Sequence, residues 1–224
     1  MNPLLGLLQL ADSGFPSGAF TLSHGLETLV ADGAVRTAED VAALLRASLL
    51  DRLARADLVV LIAVHRAASV YEVVELDRRL STVKLAADER TASERVGRRL
   101  AIEAARLAPD ELLENYLAAL DAGRSPGNAA VSLGLAMRAF GVGARDAATS
   151  AAWGFANGLC TAGVRLGLIG HGEAQRILRE AAPVIEAAVE HALLADPREL
   201  RPSGPQLEVA LARHETAEAH LFAT

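Results

Sequence analysis

The chain of 224 residues is long enough to bury a substantial core, as one domain or two small ones. It is 51% hydrophobic but only 4% aromatic, and Ala and Leu dominate, which favours helices packed through small side chains. A net charge of −6 with no basic arm argues against a nucleic-acid footprint; the single Cys160 rules out an internal disulfide and fits a reducing compartment. The positive mean hydropathy, +0.25, points to apolar surface that a partner or a second copy covers.

In chain order, Leu4 to Leu10 read as a short apolar helix that stops at Asp12-Ser13-Gly14. Met1-Asn2-Pro3 carries no charged n-region, so no signal peptide is expected. Phe15-Pro16-Ser17-Gly18 and Phe20 follow. Pro16 pushes Phe15 out of the helical region, and Gly14 and Gly18 accept angles closed to other residues. The loop is therefore expected to hold one shape and display two aromatic rings. The plainer alternative is a helical corner whose two Phe side chains fill the core. Ser23 is expected to cap a second helix, with Glu27 in its first turn near the positive end of the dipole.

Thr37 and Asp40 resemble a capping box opening a helix to about His65, apolar all round from Leu58 to Val64. From Val70 to Arg106 the charges alternate in sign. They read either as solvated helix faces with i,i+4 pairs or as a docking surface for a charged partner. Pro109-Asp110-Glu111 starts a helix to Asp121, Arg124 to Asn128 is a turn, and a helix spans Ala129 to Phe140. Ala147 to Val164 lacks charge and approaches membrane-spanning length, but it is rich in small and polar residues. It reads as a buried central helix, Arg145 to Gly167, with Gly154, Gly158, Gly163 and Gly167 leaving room for another backbone. Glu173 to Ala195 is amphipathic, with a kink expected at Pro183. Asp196 to Pro205 is a turn-rich linker, and Leu207 to Phe222 is again helical in pattern.

Catalytic and metal signatures are sparse. The only lysine, Lys84, follows Val83 rather than a Gly-rich turn, so no Walker A phosphate loop is present. His214 and His220 stand six apart, about 240° on a helix, which excludes the zinc-protease pairing. Ser23 and His24 are adjacent and diverge by about 100°. His65, His171 and His191 lie in separate segments without ligand spacing. No resident metal or cofactor is expected.

The stretch LLQLADSGFPSGAFTLSHGLE, Leu7 to Glu27, resembles the N-terminal signature of the UreF family of urease accessory proteins. The match runs through Leu7, Leu10, Asp12, Ser13, Phe15, Pro16, Ser17, Gly18, Phe20, Ser23, Gly25, Leu26 and Glu27. Gly97-Arg98-Arg99-Leu100, Val164 to His171, and Arg213-His214-Glu215 with Leu221-Phe222 resemble further family elements. The chain departs from the pattern at Leu22, Asn128 and Leu168.

The resemblance implies an all-α, single-domain helical bundle of eight to ten helices over 1–224, with 206–224 a partner-binding helical tail. It implies a non-enzymatic cytoplasmic protein, a homodimer. Its partners would be a UreD/UreH-type accessory protein, the GTPase UreG and apo-urease. Nickel and GTP belong to those partners. The partner-facing residues would be Phe15, Pro16, Ser17, Gly18, Phe20, His24 and Glu27 in the loop, and Arg213, His214, Glu215, Leu221 and Phe222 in the tail. Two alternatives stand at this point: a helical small-molecule-binding regulatory module, and a small helical hydrolase using Asp12, His24 and Glu27.

Overall fold

The computed structural model describes residues 2–18 and 22–214, and its regular elements are all helices. In order they are α1 Pro3–Ala11, α2 Leu26–Ala31, α3 Ala38–Ala47, α4 Asp57–Arg66, α5 Val70–Val83 and α6 Ala87–Leu107. Then come α7 Glu111–Asp121, α8 Ala129–Ala139, α9 Ala144–Arg165, α10 His171–Leu194 and α11 Pro205–His214. The all-α expectation is met. One continuous core runs from Leu10 to Leu211, so the bundle is a single body.

Helix starts follow local chemistry. Thr37 Oγ1 accepts the Asp40 N–H at 3.2 Å, and the Asp40 carboxylate accepts the Thr37 N–H at 3.0 Å, completing the capping box. Asp110 caps α7 through the Leu113 N–H at 3.0 Å. Two starts and stops differ from expectation. Ser23 does not cap α2; that position belongs to Gly25, which takes the left-handed conformation (φ +80°), while the Ser23 carbonyl accepts the Leu26 N–H. The helix from Thr37 does not run to His65 either. It loosens into a π turn, Ser48–Arg52, then a 3-10 turn, Leu53–Arg55, before α4 restarts at Asp57. No Gly or Pro marks this break; tertiary contacts of Arg52 and Asp57, given below, compete with helix continuity.

The helices pack in layers with α8 and α9 at the centre: α6 and α4 lie on α8, and α10 lies on α9. Leu58, Val59, Val60, Leu61, Ile62 and Val64 are all buried, which explains why α4 is apolar all round. α9 is buried along Ala148, Ala152, Ala156 and Leu159, but Trp153 is 45% exposed and Gly154 faces open space. Its glycines are therefore not where backbones meet. The close approaches are at Gly134, where a Cβ would lie 2.7 Å from the Leu61 carbonyl oxygen, and at Gly97. There a Cβ would collide with the Gly127 carbonyl and come within 2.7 Å of the Asn128 backbone. α10 continues as helix through Pro183.

The 123–129 loop that Gly97 admits is tied down by Asp77, whose carboxylate is fully buried. Its oxygens accept from the Tyr116 hydroxyl (2.8 Å), the Ser125 hydroxyl (2.7 Å), the Gly127 N–H (2.8 Å), and the Asn128 N–H and side-chain amide (3.0 and 2.8 Å). Five donors replace the lost water shell without a cation. Burial, with Asp77 beside it, pushes the Tyr116 phenol well above its usual range. Asn128, a departure from the family pattern, is a member of this hub. Leu168, another departure, donates its N–H to the Gly163 carbonyl at 3.0 Å, a bond a proline could not make.

Gly97→Ala should lower the melting temperature by several degrees, since overpacking typically costs about 1–3 kcal/mol. Gly154→Ala, in open helix, should leave it unchanged or raise it, by up to about 1 kcal/mol of helix propensity. Thermal unfolding of the two variants checks the contrast; equal shifts would contradict the assigned packing.

Candidate functional site

The signature segment begins where α1 ends. The Asp12 carboxylate accepts the Gly14 N–H at 2.7 Å and the Asp12 carbonyl the Phe15 N–H at 3.0 Å, folding the chain back. Phe15 then points into the core, 9% exposed, rather than outward as a displayed ring. It anchors the loop from beneath, and Pro16 and Gly18 are the exposed members, with Ser17 half-buried. The Pro16 carbonyl accepts Arg99 Nε at 3.4 Å, so the loop lies against α6 at the second arginine of Gly97-Arg98-Arg99-Leu100. Phe20 lies outside the described residues.

The segment returns at Ser23, which is buried, and turns through His24 (φ 54°) and Gly25. His24 is the only non-glycine with positive φ among the described residues, a conformation that surrounding contacts must hold. Its ring packs at 4.5 Å on Phe155, and a Cβ at Gly158 would lie 3.5 Å from Nε2. That is ordinary contact, so the ring does not depend on a glycine at 158. Gly25, in contrast, makes room for α11: a Cβ there would come within 2.7 Å of Leu207 Cδ1. Glu27 is half-buried in the first turn of α2.

The tail helix was expected to offer its apolar face to a partner. Leu207, Ala210 and Leu211 are instead buried against the chain's own α2 and α6. Arg213 reaches back to Asp32 at the end of α2, 2.9 Å. His214 ends α11, and Glu215, Leu221 and Phe222 lie outside the described residues. The structure therefore brings His24, Glu27 and Arg213 to one region around α2. The Phe15–Gly18 loop sits farther along α6, beside Arg99.

Beneath this region lies a cluster that sequence reading missed. Arg52 Nη2 bonds both oxygens of Glu89, at 3.1 and 2.9 Å. Lys84, 7% exposed, bonds Asp57 at 2.8 Å and Glu89 at 3.3 Å. Glu208 of α11 approaches Arg52 at 3.5 Å. Arg90 holds the turn after α5 through the Lys84 and Leu85 carbonyls, at 2.6 and 2.7 Å. Burial opposes charge on Lys84, but Asp57 and Glu89 outweigh it and hold the ammonium above its usual range. Burial likewise opposes charge on Glu89, and Lys84 and Arg52 prevail, holding its carboxyl low. In sequence these residues looked like the solvated charges around them.

No three His, Cys, Asp or Glu side chains among the described residues converge as a metal site. Asp12 is engaged with the Gly14 N–H and the His24 ring lies on Phe155. No described helix is long and apolar enough to cross a membrane.

The UreF family model matches residues 35–182. A protein of Trichodesmium erythraeum named urease accessory protein UreF is 31% identical over 98% of this chain and 96% of its own length. The chain belongs to the UreF family of urease accessory proteins. UreF 1 of Brucella melitensis is 29% identical over 98% of the chain and 92% of its own. The UreF of Corynebacterium efficiens is also 29% identical, over 99% and 97%. The similarity to these UreF proteins spans the signature loop and α11, both of which lie outside the family model.

Burial pushes the His24 imidazole down to about 4; Glu89 opposes the shift, and Arg52 and Lys84 reinforce it. The folded protein thus keeps His24 neutral where the unfolded chain, with a pKa near 6.5, binds a proton. Stability from this residue is present above about pH 6.5 and is lost as pH falls toward 4, by at most about 3 kcal/mol. Replacing His24 by Asn, which tolerates left-handed backbone, should flatten the stability curve between about pH 6.5 and 5. Denaturant melts across that window check it; an unchanged slope would contradict the neutral, half-buried imidazole.

Proposed function

We propose that this chain is a urease maturation factor without catalytic activity of its own. It joins a UreD/UreH-type accessory protein to the GTPase UreG on apo-urease and couples GTP hydrolysis to nickel insertion. The reading rests on one observation above others: similarity to urease accessory proteins over 98% of the chain. It draws support from the chain's own chemistry. A P-loop nucleotide site needs a lysine that follows a Gly-rich turn and reaches phosphate, and the single lysine is held by Asp57 and Glu89 inside the bundle. A regulator that leaves GTP to a partner fits that inventory. Nickel would then be cargo handed between partners, in the cytoplasm, with this chain present as a homodimer.

Partner contact is assigned to the loop at Pro16, Ser17 and Gly18, to the His24–Glu27 turn and to the tail from Arg213 through Phe222. Phe15 serves by holding the loop from within. Exposed Leu4, Leu5 and Leu8 on α1 add apolar surface close to the loop. Helix-in-groove docking suits a tail carrying Leu221 and Phe222.

The tail test must spare α11, because Leu207 and Leu211 belong to the core. A chain ending at His214 should keep its melting temperature and lose co-purification with the UreD/UreH-type protein. Undiminished capture by the shortened chain would remove the tail from the interface.

A further inference from the structure

The ion cluster under α11 is balanced without α11. Arg52 and Lys84 face Asp57 and Glu89, two cations against two carboxylates, and these four interlock at 2.8 to 3.3 Å. Glu208 is a fifth charge, and its seat is incomplete. It meets Arg52 only at 3.5 Å, and both its Oε2 and Arg52 Nε are buried without a hydrogen-bond partner among the described residues. The Arg52 nitrogen that faces Glu208, Nη2, already bonds both Glu89 oxygens, so Glu208 adds an anion to a neutral cluster with another carboxylate nearby. Burial pushes the Glu208 carboxyl up, Arg52 opposing and Glu89 reinforcing, which agrees with that geometry.

The rest of the α11 seat is small. Of its ten residues, the side chains of Leu207, Ala210 and Leu211 make the apolar contact, Val209 is exposed, and the Arg213–Asp32 pair is solvent-facing. The segment before it is tethered separately: the Arg201 N–H to the Arg55 carbonyl at 3.2 Å, and the Ser203 N–H to the Asp51 carbonyl at 2.8 Å. Gly204 follows, packed on the Arg52 side chain. A hinge at Gly204 can therefore release α11 while the tether stays in place.

We propose that α11 is a releasable strap: its three apolar side chains close it over Gly25, and the surplus carboxylate of Glu208 against an already balanced cluster keeps it from closing firmly. Opening uncovers the Ser23–Gly25 turn, where His24 holds its positive φ, and the half-buried ion cluster beside it. Short elements with few buried contacts are the ones that open locally while the body stays folded.

Amide hydrogen exchange of the full chain at pH 7.5, above the titration of His24 in both states, tests this. Residues 205–214 should exchange far faster than α8 in the wild-type protein. In Glu208→Gln their protection should rise severalfold, because a neutral amide removes the surplus charge while its oxygen can still face Arg52. In Leu211→Ala it should collapse, with α8 protection kept. Equal or lower α11 protection in Glu208→Gln would make Glu208 a required ion-pair partner and overturn the proposal. Loss of α8 protection together with α11 in Leu211→Ala would also overturn it, since α11 would then be part of the cooperative body.

Discussion

The arrangement depends on the interlocked charges Arg52, Lys84, Asp57 and Glu89. They come from the π turn, the start of α4, the end of α5 and the start of α6. Lys84 is buried while Arg52, Asp57 and Glu89 are half-buried; the Lys84 ammonium is stable there because it is paired and hydrogen-bonded, and stripping a partner from a fully buried pair typically costs about 3–5 kcal/mol. The cluster thus specifies how these segments meet more than it adds net stability. It also sets the floor on which the His24–Gly25 turn and α11 rest.

Two other constraints complete the scaffold. The Asp77 hub draws α5, α7 and the 123–129 loop together through neutral donors alone. Gly97 lets α6 lie directly on that loop. The glycine of Gly97-Arg98-Arg99-Leu100 acts inward, on packing, while Arg99 acts outward, holding Pro16. One short element therefore serves both the bundle and the signature loop.

Much of the fold was legible in the sequence because local chemistry agreed with the final structure. The Thr37–Asp40 box, Asp110 after Pro109, and the apolar run Leu58 to Val64 each state their structure within a few residues. What was not legible depends on distant partners. The break at Ser48–Ala56 contains no Gly or Pro; it accompanies contacts that Arg52 makes 37 residues away. Asp77 and Glu89 sit among charges of alternating sign, so nothing local separates a buried carboxylate from a solvated one. Gly97 and Gly154 have the same local appearance, and only the neighbouring chain makes one indispensable. Phe15 was ambiguous between display and burial, and the fold buries it.

On the proposed function, the bundle is a scaffold, and the surfaces at the signature loop and the tail collect the partners through which urease acquires nickel. The most direct measurement is the nickel content and activity of urease made at limiting nickel in cells lacking this chain. The account predicts intact but nickel-poor, inactive urease, restored when the chain is supplied again. Fully metallated, active urease in its absence would contradict it.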